Sequence, residues 1–244
     1  MRAALNLWWR LNLKLGALAC RLAKVRYRLE APLHPKHLIG DVERFWFLEW
    51  MKPGSVVLDV GCGQGANAIA AARLGARVLA FDVNLSQPPP HDTALFIRAD
   101  AQRPWPAASC AFDAIMALDV LEHLDDRNMF YSEAVRALKP SGLLLISVPN
   151  RDTPWKRLRR RFGAVDKDDP DHRVEYARTE IEAELQQHGF EPIFFDGTVY
   201  DTPFVGFIDL VGAVSITLYR HLIRWKRSAR HRGATGFRIA ARKT

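Results

Sequence analysis

With 244 residues, 48% of them apolar, the chain is long enough to bury one good core with appendages. Three scattered cysteines, Cys20, Cys62 and Cys110, exclude a disulfide framework and a cysteine metal cluster, and their spacing points to a reducing compartment. The net charge of +8 is uneven: residues 1–29 carry seven Lys/Arg and residues 210–244 carry nine, neither with an acid, which leaves 30–209 with a net charge of −8. Two basic ends around an acidic body call for an anionic partner at the ends, either a lipid surface or nucleic acid.

From the N-terminus, Ala4, Leu7, Leu11, Leu15, Leu18, Leu22, Val25 and Leu29 recur at steps of three and four, one stripe of a helix over 4–29. Arg10, Lys14, Arg21, Lys24 and Arg28 run beside it, and Trp8 and Trp9 add interfacial aromatics. Arg10 and Lys14 interrupt the apolar run, so no secretory signal is expected. Ala31-Pro32 through Pro35 should end the helix, and 41–51 reads as a short helix.

Strands and helices then alternate. Strands are expected at 55–60, 77–82, 94–98, 112–118, 142–148 and 191–196, and helices at 65–74, 127–138 and 178–188, the last opened by Thr179 as a cap. Continuous apolar strands between helices predict a buried, mostly parallel sheet. Gln87–Pro90 and Arg103–Ala111 stand where two crossover helices would be, so those crossovers should be loops. Residues 150–176 read as polar loop, basic in WKRLRRRF, and 198–232 as an insertion that is apolar first and basic later. Its apolar stretch, 203–219, carries Asp209 and falls short of the roughly 20 apolar residues of a membrane span. Gly236–Ala241 closes the chain as a short strand.

The first strand leads into VVLDVGCGQG at 56–65 and then an Ala-rich helix. A strand, a glycine turn and a helix N-terminus form a nucleotide-sized niche, because missing Cβ atoms let a ligand lie on the backbone. Gly61, Gly63 and Ala66 also satisfy the dinucleotide fingerprint, so this motif alone leaves the cofactor open. Asp82 ends the second strand, where an acid can accept hydrogen bonds from both ribose hydroxyls. Asp100, in RADAQ, follows the third strand, LDVLEHL at 118–124 follows the fourth, and LKPSGLLLISVPN at 138–150 joins helix, turn and strand.

VLDVGCGQG, FDV, ADA, FDAIMALDVLEHL and LKPSGLLLISVPN occur in the order seen in class I S-adenosylmethionine-dependent methyltransferases, and the chain resembles the small-molecule or lipid subgroup of that family over about 54–197. TGFRIAARK at 235–243 is similar to the subgroup's closing strand. The resemblance implies a Rossmann-like, doubly wound, mostly parallel seven-stranded sheet with an antiparallel last strand, plus helical additions at both ends. The periodicity and charge give a basic amphipathic segment over 1–50, and the resemblance implies a methyltransferase domain over 51–244 with insertions at 150–176 and 198–232. S-adenosylmethionine would be the cofactor: Gly61, Gly63 and Gly65 near its amino acid moiety, Asp59 orienting that moiety, Asp82 with Val83 at the ribose, Asp100 with Ala101 at the adenine, and Leu118 with Asp119 facing the methyl-donor end. An acidic body also suits a cationic sulfonium better than a pyrophosphate.

Methyl transfer from a sulfonium is governed by proximity and alignment. An oxygen acceptor needs a base, and His123 and His172 (in DPDHRVEY) are the candidates. Asp119, Glu122 and His123 form D-x-x-E-H, similar to the E-x-x-E-H of ubiquinone-pathway O-methyltransferases, where a divalent ion is bound. Asp for the first Glu shortens the reach by one methylene, and many relatives carry LEHL without metal, so no metal is expected.

The implied acceptor is a small or lipid-linked molecule met at an anionic membrane surface. The enzyme would then be cytoplasmic, peripheral on the cytoplasmic membrane face. The alternatives are an RNA methyltransferase using the basic ends for phosphate contacts, a non-catalytic cofactor-binding subunit, and an NAD-dependent oxidoreductase. Against nucleic acid, the basic residues alternate with long aliphatics, and no Asn/Asp-Pro-Pro-Tyr-like motif follows the fourth strand. Against NAD, a second mononucleotide-binding half is absent.

Overall fold

A computed structural model describes residues 1–29, 34–35, 38, 42–86, 91–198, 201–228 and 233–244. The expected stop at Ala31-Pro32, the Gln87–Pro90 run, Arg230 and Arg232 lie outside the described residues. The chain forms two compact units: Met1–Asp41, Asn150–Asp168 and Gly197–Gly236 make one, and Val42–Pro149, Asp169–Asp196 and Phe237–Thr244 make the other.

The second unit is built on seven strands: β1 (Val56–Val60), β2 (Arg77–Asp82), β3 (Ala94–Arg98), β4 (Phe112–Leu118), β5 (Leu138–Pro149), β6 (Phe190–Gly197) and β7 (Gly236–Lys243). Their order in the sheet is β3-β2-β1-β4-β5-β7-β6. β1 pairs in parallel with both β2 and β4, β2 with β3, and β4 with β5, and the sheet closes with antiparallel pairing at its end, a Rossmann-like arrangement. The order reverses between β1 and β4, and ligands of open α/β sheets bind beyond the carboxyl ends of the strands at such a reversal.

Three helices belong to this unit: α2 (Ala66–Arg73), α3 (Arg127–Ala137) and α5 (Arg178–Gln187), with a 3₁₀ segment over Val42–Trp50. Small residues let α2 lie close to the sheet: Ala68, Ala71 and Ala72 join Val57, Val78, Ala80 and Met116 in one core cluster. Leu58, Val60, Phe81, Ile115, Phe130, Tyr131 and Ile146 fill the other. Among the described residues no helix stands between β3 and β4, so the crossover expected as a loop over Arg103–Ala111 is one.

Three local expectations need correction. β5 starts at Leu138 rather than 142, because Leu138 pairs with Phe112 and the ladder resumes at Ala114 with Leu143, leaving 139–142 as a bulge. Asp113 anchors that bulge through Lys139 Nζ at 2.6 Å and also accepts from Val56 N at 2.8 Å. Thr179 does not cap α5; Glu180 reaches back to accept from Ala177 N at 2.8 Å, so the helix begins at Arg178. Residues 150–176 are not all loop, since Pro154–Arg161 is helix α4. Thr153 caps it, accepting from Lys156 N at 3.0 Å, and proline at the first helical position supplies the right φ.

The first unit holds α1 (Arg2–Arg26), α4, α6 (Val205–Val214) and α7 (Ile216–Ser228). α1 and α6 approach so closely that a Cβ on Gly206 would meet Asn12 O at 2.5 Å. Asn12 Oδ1 accepts from Gly206 N at 2.9 Å, Trp8 Nε1 donates to Pro203 O at 2.7 Å, and Tyr27 Oη donates to Gly212 O at 2.8 Å. Trp8 also stacks on Phe207. The apolar stripe read from the sequence is not the packed face. α1 buries Leu5, Asn12, Ala19 and Ala23, while Leu7, Leu11, Leu18, Leu22 and Val25 stay exposed.

Asp209, the acid in the apolar run of α6, is buried and paired with His34 Nε2 at 3.0 Å, and it accepts from Tyr219 Oη at 3.3 Å. No helix among the described residues is long and apolar enough to cross a membrane. Much of the basic run in α4 is charge-paired: Lys156 is buried against Asp168 at 2.6 Å, and Arg160 meets Asp166 at 2.6 Å. Lys226 is buried too, and Asp201 and Asp209 partly offset the loss of hydration that lowers its pKa.

Candidate functional site

Four parallel strands end on one edge of the sheet unit, and each is followed there by residues singled out in the sequence. After β1, Gly61, Gly63 and Gly65 all adopt left-handed φ, at 68°, 55° and 85°. Two of them are also needed for space. A Cβ on Gly61 would meet Val120 at 2.6 Å, and one on Gly65 would meet Phe96 at 2.4 Å, whereas one on Gly63 would meet nothing within 4 Å. The turn thus packs on both flanks and leaves open room over Gly63.

The end of β2 ties this turn down. Gly61 N and Cys62 N both donate to Phe81 O, at 2.9 and 3.0 Å. Asp82 accepts from Gly63 N at 2.9 Å through one oxygen and from Asn84 N at 2.7 Å through the other. Each oxygen retains a second acceptor site, so the carboxylate shapes the turn and keeps capacity for a ligand's hydroxyls. Val83 beside it is exposed.

Asp59 is 1% exposed, and its Oδ2 has no hydrogen-bond partner. Burial pushes its carboxyl up to about 8, the backbone N–H of Ala68 in the first turn of α2 pulls it down, and the charge of Asp82 pushes it up again. A buried carboxylate with an orphaned oxygen beside a second acid is a site that gains from a cation. Burial also pushes the Cys62 thiol up to about 12, with Asp59 and Asp82 adding to the rise, and its Sγ faces Gly63 O at 3.7 Å. That thiol is packing, with no thiolate to react.

After β3, Asp100 accepts from Gln102 N at 2.9 Å, and Ala101 O accepts from the indole of buried Trp105 at 3.0 Å, so this turn is rigid and both residues are half-buried. After β4, Leu118 is half-buried and Asp119 exposed with φ at 58°, a left-handed conformation that Asp tolerates better than most residues. Its N–H donates to Ser147 O at 3.0 Å, and its Oδ1 accepts from Ser147 Oγ at 2.7 Å.

The 3₁₀ turn Leu121–His123 then presents Glu122 and His123. Glu122 is 2% exposed, and its Oε2 has no hydrogen-bond partner; burial first, then the charges of Asp119 and Glu175, push its carboxyl up to about 8, against the pull of its own backbone N–H. Segment 169–176 docks on this turn, Arg173 N and Val174 N both donating to Glu122 O at 2.6 and 3.3 Å. The rings of His123 and His172, some fifty residues apart in the chain, thereby stand 5.0 Å apart, edge to face. His172 Nδ1 lies 2.9 Å from Glu175 Oε1, a partner the sequence reading missed although i,i+3 spacing from a candidate base was its signal. Ser147 as the partner of Asp119 left no such trace.

A family profile described as "Methyltransferase domain" matches residues 33–193. The chain is 32% identical over 171 residues to a Mycolicibacterium smegmatis protein described as a probable S-adenosylmethionine-dependent methyltransferase, covering 61% of this chain and 60% of that one. It is 33% identical over 113 residues to a ubiquinone biosynthesis O-methyltransferase of Bradyrhizobium diazoefficiens, covering 42% of each. The chain therefore spans about half the length of these curated relatives. A solved S-adenosylmethionine-dependent methyltransferase from Archaeoglobus fulgidus superposes with a TM-score of 0.57 at 18% identity, over 83% of this chain and 92% of that one, a likeness of fold. With the profile covering most of the chain and every cofactor-side motif on one sheet edge, the chain belongs to the methyltransferase domain family.

Proposed function

We propose that this chain transfers a methyl group from S-adenosylmethionine to a small or lipid-linked acceptor at an anionic membrane surface. The cofactor is S-adenosylmethionine, in keeping with the family and the descriptions of its relatives. One observation carries the fit: Asp59, two residues before the glycine turn, is buried with an orphaned oxygen, for which a cationic amino acid moiety would supply the missing partner. Asp82 would take the ribose hydroxyls beside Val83, Asp100 and Ala101 the adenine, and Leu118 and Asp119 the methyl end. When bound, the cofactor supplies an electrophilic methyl on a good leaving group.

The chain's own work is alignment and proton handling. The glycine turn is fixed by Asp82 and by the Phe81 carbonyl, so little ordering is left to do on binding. On the acceptor side, Glu175 orients the His172 ring, and the two imidazoles, His172 and His123, receive the acceptor's oxygen and its proton.

The membrane part rests on the helical unit. Leu7 is 69% exposed and Val25 78%, on the same helix as the exposed Arg10, Lys14, Arg21 and Lys24; Phe204, Phe207, Leu218 and Trp225 are exposed on or beside α6 and α7. Apolar side chains bordered by cations suit an anionic headgroup layer. Buried Lys226 is not among those cations.

Calorimetry with S-adenosylhomocysteine and with NAD tests the cofactor: the former should bind and the latter should not, and Asp82→Ala should weaken binding by about 1.5–3 kcal/mol. Transfer of labelled methyl into a lipid extract, compared with a water-soluble extract, tests the acceptor class. Label found only in RNA would replace this reading with the nucleic-acid one.

A further inference from the structure

We propose that Glu122, His123 and His172 form a zinc-type cation site, with Glu175 as the support of His172. The sequence pattern D-x-x-E-H drew attention to Asp119, Glu122 and His123. The structure assembles a different set. Asp119 is turned to Ser147, which donates to its Oδ1 at 2.7 Å, while one ligand atom from each of Glu122, His123 and His172 lies within 4.8 Å of the other two.

Ligand atoms held at 2.0–2.2 Å around a tetrahedral ion stand about 3.4 Å apart, so rotation of these side chains by up to about 1.5 Å at their tips closes the site. Two further observations point to a cation. Glu122 is 2% exposed with an oxygen that has no hydrogen-bond donor, an arrangement that costs free energy until something positive meets it. His172 Nδ1 sits 2.9 Å from Glu175 Oε1; with Nδ1–H donating there, Nε2 carries the lone pair. A carboxylate behind an imidazole is the usual support for a metal-binding histidine.

The donor set selects the ion. Two imidazoles and one carboxylate suit zinc or cobalt and leave a fourth position open, whereas magnesium and calcium prefer oxygen donors throughout. Glu122 and His123 come from the turn after β4 and His172 from the segment docked on it, so the ion would staple the two together. This rests on the proposed function for its acceptor but replaces the imidazoles as the base: with their lone pairs on the ion, the open position takes the acceptor's hydroxyl oxygen and makes its proton easier to lose to water.

The test uses untagged full-length protein in a Cys110→Ser background, which removes an exposed thiol that would also take zinc. Zinc chloride titrations by calorimetry and cobalt titrations by visible absorption should both give one ion per chain, the cobalt spectrum showing d–d bands of four- or five-coordination. His172→Ala and Glu122→Gln should each lower affinity at least tenfold, Glu175→Gln about 10–100-fold, and Asp119→Asn should leave stoichiometry unchanged. His172→Gln, closer in volume, separates loss of a ligand from loss of folding, which circular dichroism monitors. No saturable uptake overturns the site, and so does uptake that survives His172→Ala but is lost in Asp119→Asn. S-adenosylhomocysteine binding, measured on the same samples, reports separately on the methyltransferase reading.

Discussion

The sheet unit and the helical unit both carry large leucine, valine and aromatic side chains but dispose of them in opposite ways. Around the sheet, Leu58, Phe81, Ile115, Phe130, Leu144 and Ile239 are wholly buried, and among the described residues only Val83 and Leu95 are large apolar side chains left exposed. The helical unit buries mainly small residues, Ala19, Ala23 and Ala213, and leaves Leu7, Leu22, Val25, Val214, Leu218 and Trp225 exposed. A parallel sheet has two faces that must both be covered, so its large side chains have nowhere to go but inward. Helices packed through glycine and alanine make contact with their backbones, and their large side chains are left for another partner.

Substitution in each unit should separate these two uses. Ile115→Ala, on β4, should cost about 2–5 kcal/mol in urea unfolding, the range for emptying a sealed core position. Next in size, Gly65→Ala should cost about 1–2 kcal/mol for its left-handed φ alone. Overlap with Phe96 adds to that, and S-adenosylhomocysteine affinity should fall with it.

Asp59 gives a pH test. Its folded carboxyl titrates near 8 against 3.8 for the free group, so the folded chain holds a proton that the unfolded chain has lost over that interval. Stability of the ligand-free protein should therefore fall as pH rises from about 4 to about 8. Glu122, also pushed up to about 8, adds to the fall, so Asp59→Asn should remove its own share of it and melt at a higher temperature than the parent at pH 8, while binding S-adenosylhomocysteine more weakly. The smallest effect on folding belongs to α1. Leu7→Ala with Val25→Ala should change unfolding by less than about 0.5 kcal/mol per site, yet should reduce co-sedimentation with anionic vesicles. Replacing Lys14 and Arg21 by Gln should lose about 1 kcal/mol of membrane binding each at low salt. Unchanged sedimentation in both pairs would remove the membrane from the proposal.

The strands were legible because a buried parallel strand is a run of apolar residues, and VVLDV, RVLAFD and FDAIMAL state that directly. The start of β5 was not, since Lys139, Pro140 and Ser141 look like a turn, and only pairing of Leu138 with Phe112 extends the strand past them. α4 was missed although Trp155, Leu158 and Phe162 stand at steps of three and four, because the five basic residues among them read as a solvated polar loop. Thr153-Pro154 was a local start signal for it, whereas the ion pairs to Asp166 and Asp168 that hold it are encoded by no local pattern. The stripe on α1 was correctly apolar, but periodicity reports which face is apolar and not whether anything covers it. At the site, the glycines announced themselves through conformational need. The pairing of His172 with His123 depends on a docked segment and appears only once the chain is folded.

Cys62 turns the glycine turn into its own clock. A thiol with a pKa near 12 stays protonated at neutral pH and does not react with alkylating agents while the turn is closed. Exposed Cys110 on the same molecule reacts at once and serves as the internal reference. The slow labelling of Cys62 therefore counts openings of the turn, and the ratio of its rate to that of an unfolded control yields the free energy of that local excursion. Any molecule that settles over Gly63 should slow the clock by its occupancy, so cofactor-side binding can be timed without following a reaction.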